Sequence, residues 1–144
     1  MLLNVLAHEL HRIGPAGMQP EDVFRAVDGL HQRCKGAYSV IAMISGKGVL
    51  GFRDPYGIRP AVLGYRDTEQ GREYAIASEN VALAALDFTL LRDLQPGEAV
   101  FITKRGQLHT HVSPHAQAAS PCIFEYVYFA RPDSMLDDIS VYKA

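Results

Sequence analysis

The hydrophobic period of this sequence changes once, from 3.6 residues to 2, between Cys34 and Tyr38. That change dictates a helical start followed by strands. Leu3, Leu6, Leu10 and Ile13 recur three to four apart and make the apolar stripe of an amphipathic helix. No capping residue precedes it, so helical character begins at residue 1. Gly14-Pro15-Ala16-Gly17 is expected to stop this helix. Pro20 suits the first turn of a second helix, and Glu21 and Asp22 suit the positive end of its dipole. Val23, Val27, Leu30 and Cys34 carry its buried stripe, so residues 1–34 read as a helical hairpin.

From Ala37 to Ile44 the chain reads as a buried strand, and Gly46-Lys47-Gly48 as the turn that returns it through Val49 to Phe52. Asp54-Pro55-Tyr56-Gly57 is a turn with a mechanism, since Pro fixes one φ and Gly permits a positive one. Further strands are expected at Ala61–Tyr65, Glu73–Ala77, Glu98–Thr103 and Leu108–Val112. A short helix, Val81–Leu86, is expected to be capped by Ser78-Glu79-Asn80. The fold class is therefore α+β, a helical hairpin followed by an antiparallel meander. Residues 113–121, rich in Pro, Ala and Ser, read as a linker, and 122–144 regain aromatic density at Phe124, Tyr126, Tyr128 and Phe129.

Composition narrows the function classes. The chain has 144 residues, 48% of them apolar and 21% charged, with 14 basic against 16 acidic side chains. Those proportions describe one globular unit rather than a disordered tail. A net charge of −2 argues against wrapping nucleic acid through phosphate contacts. No apolar run approaches the ~20 residues of a membrane span. The start, Met1-Leu2-Leu3, lacks the basic region of a signal peptide, and a cytoplasmic location follows as the expectation. Cys34 and Cys122 form neither a disulfide framework nor a CxxC knuckle.

Three stretches carry a resemblance. The first is Phe52-Arg53-Asp54-Pro55-Tyr56-Gly57-Ile58-Arg59-Pro60. The second is Ala77-Ser78-Glu79-Asn80-Val81-Ala82-Leu83, followed by Arg92-Asp93-Leu94-Gln95-Pro96-Gly97-Glu98. The third is Cys122-Ile123-Phe124-Glu125-Tyr126-Val127-Tyr128-Phe129-Ala130-Arg131-Pro132-Asp133-Ser134. The first two resemble class II glutamine amidotransferases in general, and the third resembles the amidophosphoribosyltransferase family. That resemblance implies an N-terminal-nucleophile glutaminase, an αββα sandwich, joined to a phosphoribosyltransferase. Ammonia from glutamine then passes to phosphoribosyl pyrophosphate and gives 5-phosphoribosylamine, the first step of de novo purine biosynthesis. Residues 1–112 correspond to the C-terminal portion of the glutaminase domain, and 113–144 to the linker and the start of the transferase side.

The sequence departs from the family pattern in what it lacks. Residue 2 is Leu2 where the family has a nucleophilic cysteine whose α-amine is the base. No Asn-Gly dipeptide, the family's oxyanion element, occurs in the 144 residues. The expectation is an internal piece of the enzyme, with no catalytic residue present and no activity alone. An alternative reading is a free-standing binding or regulatory module derived from such a domain. By resemblance, the strand carrying Val40, Ala42 and Ile44, with Ile41 and Met43 between them, also loses a partner layer.

Each candidate site has a structural reading beside the functional one. Arg53, Asp54 and Arg59 read as an ion-paired turn more than as a ligand contact. Ser78-Glu79 reads as a helix N-terminus, because no histidine stands ready to activate Ser78. By resemblance, Tyr128 lies at the junction of the two active sites and walls the ammonia channel, with Arg131, Asp133 and Ser134 as candidate hinge residues. Cys122 corresponds to an iron–sulfur ligand in cluster-containing members only, and a cluster needs four thiolates. His109, His111 and His115 offer an HxH pair on a strand, yet lack an accompanying acid or thiol, and no metal is expected. His8 and His11 are three apart, not the four of a zincin helix. For the whole enzyme the resemblance implies glutamine, phosphoribosyl pyrophosphate with magnesium, and a homo-oligomer.

Overall fold

The computed structural model describes residues 1–14 and 18–143, so Pro15, Ala16 and Gly17 of the expected helix stop lie outside the described residues. Helix α1 (Leu2–Ile13) ends at Gly14, whose N–H reaches the carbonyls of Leu10 and His11. Helix α2 (Pro20–Arg33) starts with Pro20 at its first position, and the backbone N–H of Gln19 donates to Asp22 Oδ2 at 3.0 Å. The two helices are tied by Arg33, which donates to the buried Glu9 at 2.7 Å and pulls its pKa down.

Strands β1 (Ser39–Ile44), β2 (Gly48–Arg53), β3 (Val62–Thr68), β4 (Gly71–Ala77), β5 (Thr89–Asp93), β6 (Glu98–Thr103) and β7 (Leu108–Val112) follow, with the short helix α3 (Asn80–Ala84) before β5. All strand pairings are antiparallel. The strands divide between two sheets, ordered β1-β2-β6-β7 and β4-β3-β5. Strand β2 therefore pairs with β6 across the intervening β3–β5 unit. Strand β5 has no counterpart in the expected elements. It joins the edge of the second sheet through a bulge at Leu63/Gly64, and its Leu90 and Leu91 stay exposed.

Alternation along β2 and β6 assembles the layers. Leu50, Phe52, Ala99 and Phe101 face the helices and meet Leu6, Val23, Phe24, Ala26, Val27, Leu30 and Cys34. A second cluster, Ala61, Leu63, Leu94 and Val100, involves both sheets. Gly51 allows that close approach, because a Cβ there would stand 2.6 Å from Ile76 Cδ1. On β1, Val40, Ala42 and Ile44 pack toward the helices, whereas Ile41 is 56% and Met43 83% exposed. The bare positions are therefore Ile41 and Met43. Among the described residues, no helix is long and apolar enough to cross a membrane.

Beyond residue 112 the chain does not leave the sandwich. Gln117 and Ser120 donate backbone hydrogen bonds to the carbonyls of Pro55 and Tyr56. A single π-helical turn, Glu125–Phe129, and a hairpin of β8 (Met135–Leu136) and β9 (Ile139–Ser140) complete the described fold.

One buried polar side chain makes the helix–sheet joint pH-dependent. His31 is 2% exposed, stacks on Tyr38 and meets the edge of Phe52, and its Nδ1 lies 3.0 Å from the Tyr38 hydroxyl. Burial depresses its pKa to about 4, against the opposing charges of Asp28 and Asp54. The unfolded chain thus takes up a proton near pH 6.5 that the folded chain refuses. Stability should fall as pH drops from about 6.5 to about 4, by up to ~3 kcal/mol from this group. In urea unfolding, the gap between wild type and His31→Phe should move in the variant's favour over that window. A gap independent of pH would contradict this.

Candidate functional site

The turn after β2 is held by its own side chains. Asp54, fully buried, accepts four backbone N–H groups: Tyr56 and Ile58 on Oδ1, and Tyr38 and Arg59 on Oδ2, all at 3.0–3.3 Å. Four acceptor sites are what a carboxylate offers, so the loop's curvature is written by one side chain. Gly57, at φ +60°, lets the turn close over Arg53, where a Cβ would come within 3.3 Å of the guanidinium carbon.

Arg53 is 2% exposed, and every donor of its guanidinium is used. Nε donates to Arg59 O at 2.7 Å, Nη1 to Leu94 O at 2.6 Å, and Nη2 to Gly57 O at 2.8 Å. The two remaining N–H groups form a bidentate pair with Asp137 at 2.8 Å each. Burial works against its charge, but the Asp137 hydrogen bond and carboxylate outweigh that and hold the pKa above the ordinary arginine value. Nearby, burial followed by the Asp137 charge pushes the Asp93 carboxyl up.

The rest of the C-terminal segment docks beside this pair. Arg59 pairs with the buried Glu125 and lies 5.1 Å from the Phe129 ring centre. Burial nevertheless raises the Glu125 pKa. Glu79 stands before α3 without capping it by a side-chain bond. Its carboxylate instead accepts the backbone N–H of Arg131 at 2.9 Å and the hydroxyl of buried Ser134. Asn80 Oδ1 accepts the N–H of Met135 at 3.0 Å. Arg92 forms a bidentate pair with buried Glu98 at 2.5 and 2.7 Å, which also accepts Gln95 N–H. The three sequence stretches, separated by tens of residues, thus converge on one site.

The individual candidates take different places there. Arg53, Asp54 and Arg59 form its centre. Tyr128 stacks on Phe124 at 5.7 Å and is 72% exposed. Arg131 and Asp133 make an exposed ion pair at 3.0 Å. Cys122 is a free thiol in the wall of a small cavity beside Arg53 and Glu125, and Cys34 is a free thiol in the helix–sheet core. His111 stacks on Phe24 and contacts Asp28 at 2.9 Å, and His8 and His11 are exposed on α1. Among the described residues, no three His, Cys, Asp or Glu side chains are grouped to hold a metal ion. The sequence reading does not single out Asp137; it takes Glu79 and Asn80 only as a helix cap and Glu125 only as a member of the third stretch. A signal for Asp137 exists, since Asp137-Asp138 stands between apolar Leu136 and Ile139 as a two-residue hairpin loop, and both aspartates have positive φ.

Comparison with known proteins returns one group. No protein-family model matches the chain. Over its whole length it is 58% identical to the amidophosphoribosyltransferase of Pseudomonas aeruginosa and 50% identical to that of Escherichia coli, covering 29% of each. It is 44% identical to the Saccharomyces cerevisiae amidophosphoribosyltransferase over 99% of the chain and 29% of the relative. The glutamine phosphoribosylpyrophosphate amidotransferase of B. subtilis, solved with ADP and GMP, superposes with a TM-score of 0.73 at 31% identity, over 96% of this chain and 28% of that one. The fold is thus that of a solved amidotransferase. Within that class, the chain is similar along its whole length to amidophosphoribosyltransferases and spans about 29% of the length of the curated relatives it matches.

Asp54→Asn turns one acceptor of the turn into a donor that faces backbone N–H groups. It should destabilise the fold by about 3 kcal/mol in denaturant unfolding, since bonds to a charged acceptor are lost and a buried donor is left unpaired. A change under about 1 kcal/mol would show that the loop holds its shape without Asp54.

Proposed function

We propose that this chain is the part of a glutamine-dependent amidophosphoribosyltransferase that joins the glutaminase to the transferase. The whole enzyme would transfer glutamine-derived ammonia to phosphoribosyl pyrophosphate and form 5-phosphoribosylamine, opening purine biosynthesis. The observation that carries the reading is the convergence of the stretches shared by glutaminases, at Arg53–Pro60 and Ser78–Asn80, with the narrower stretch Cys122–Ser134, in a chain 58% identical to one such enzyme. Residues 1–112 would be glutaminase and 113–144 the passage to the transferase. The same reading makes the enzyme a cytoplasmic homo-oligomer, with magnesium entering alongside phosphoribosyl pyrophosphate.

Tyr128 is proposed to wall the passage for ammonia. An aromatic wall excludes water and keeps ammonia unprotonated. The ring is exposed and stacked on Phe124, and Ile123, Val127 and Phe129 of the same segment are exposed as well. Of the four thiolates an iron–sulfur cluster needs, these 144 residues would supply only Cys122, since Cys34 lies in the helix–sheet core.

The 144 residues by themselves, whose two cysteines, Cys34 and Cys122, both lie inside the chain, should release no ammonia from glutamine above a protein-free blank. The test of function is a hybrid in which this chain replaces the matching segment of the Pseudomonas aeruginosa enzyme. Glutamine-dependent synthesis should persist within about tenfold of the parent. Tyr128→Ala in the hybrid should spare glutamine hydrolysis and ammonia-dependent synthesis in part while glutamine-dependent synthesis falls most. A folded hybrid without any synthesis would contradict the assignment, and equal loss of all three rates would contradict the role of Tyr128.

A further inference from the structure

We infer that Asp137 is a positioning residue: bonded to buried Arg53, it sets where the aromatic turn Glu125–Phe129 sits on the sandwich, and so where Tyr128 is presented. The inference rests on the proposed role of Tyr128 for its functional consequence, but the latch itself stands on geometry.

The turn cannot hold itself by burial. Ile123, Phe124, Val127, Tyr128 and Phe129 are each more than half exposed. The segment is anchored instead at polar points, with Leu136 as its one large apolar side chain that is fully buried. Those points differ in strength. Arg131–Asp133 is exposed on both sides and contributes little. The guanidinium of Arg59 is 37% exposed. Arg53 alone combines a 2% exposed cation with a bidentate carboxylate, and bidentate charge-assisted pairs are the strong and directional ones.

The backbone is shaped to deliver that carboxylate. Asp137 and Asp138 have φ of 48° and 64°, and they form the loop between β8 and β9, where Leu136 pairs with Ile139. The hairpin is closed by Val141 N–H on Ser134 O, and Ser134 is itself bonded to Glu79. From Ser134 the chain runs back through Arg131 to the aromatic turn, whose last N–H, that of Ala130, is bonded to Glu125 O. Residues 130–136, which link Asp137 to Glu125–Phe129, are themselves fixed by these bonds and by Glu79 and Asn80, so a displacement of Asp137 is passed along a held segment. A separate reason to assign positioning rather than core packing is that the Asp137 side chain is 32% exposed.

Asp137→Asn removes the charge and one of the two acceptors that face Arg53 while leaving the backbone in place, because asparagine tolerates the left-handed conformation as well as aspartate does. In the 144-residue chain, the amides of Ala130, Ser134 and Val141 should exchange at least about tenfold faster in the variant, while those of β2 and β6 keep their protection. Unchanged exchange at the three amides, or uniform loss through β2 and β6, would overturn the inference. In the hybrid enzyme, Asp137→Asn should spare glutamine hydrolysis and ammonia-dependent synthesis. Glutamine-dependent synthesis should fall about tenfold, with partial rescue by Asp137→Glu. Parallel loss of all three rates, or none, would refute positioning. If instead the amides loosen while Tyr128→Ala leaves coupling intact, the latch stands and the channel reading of Tyr128 falls.

Discussion

A guanidinium sealed inside a protein must have its charge matched and all of its donors filled, or it destabilises the fold that buries it. Arg53 meets both demands with groups drawn from three separate places: the turn at Gly57 and Arg59, the end of the second sheet at Leu94, and the C-terminal hairpin at Asp137. None of the three is near another in sequence. Removing any one leaves a buried donor without an acceptor. The docking of 122–143 on the sandwich is therefore tied to the integrity of the turn, and the turn to Asp54, which satisfies four N–H groups beside it.

The sandwich supplies the rigid frame. Strand β2 lies between β1 and β6, buries Leu50 and Phe52 under the helices, and lets Gly51 meet Ile76 of the other sheet. Arg53 is the last residue of that strand. Its side chain thus projects from a strand covered on both faces, which fixes its origin more tightly than a loop could. Under the proposed function, in which ammonia passes between two sites, a rigid origin for the connecting segment would be a functional requirement, because distance errors of about an ångström degrade transfer steps strongly.

Much of this was legible in the sequence, for physical reasons. The stripe Leu3, Leu6, Leu10 and Ile13, and Pro20 with its acidic first turn, encode helices locally, and the structure has them. The turn chemistry of Asp54-Pro55-Tyr56-Gly57 is local too. The division into two sheets is not: β2 finds β6 rather than β3, a choice made by packing across tens of residues. Strand β5 escaped notice because Thr89-Leu90-Leu91-Arg92-Asp93 shows no alternation and leaves its leucines exposed. Within the site, Arg53 read as part of a charged turn, but its carboxylate partner is 84 residues away and no spacing rule reaches that far. Glu79 looked like part of a helix cap, whereas its carboxylate serves the distant backbone of Arg131.

The Arg53 guanidinium is locked by five simultaneous hydrogen bonds. Arginine side-chain nitrogen NMR reads this directly. At neutral pH, Arg53 should give separate, slowly exchanging Nη proton signals together with a protected Nε–H, since rotation about its C–N bonds would break several bonds at once. A single averaged Nη signal, exchanging like those of surface arginines, would show that Arg53 is not so held and would contradict the account.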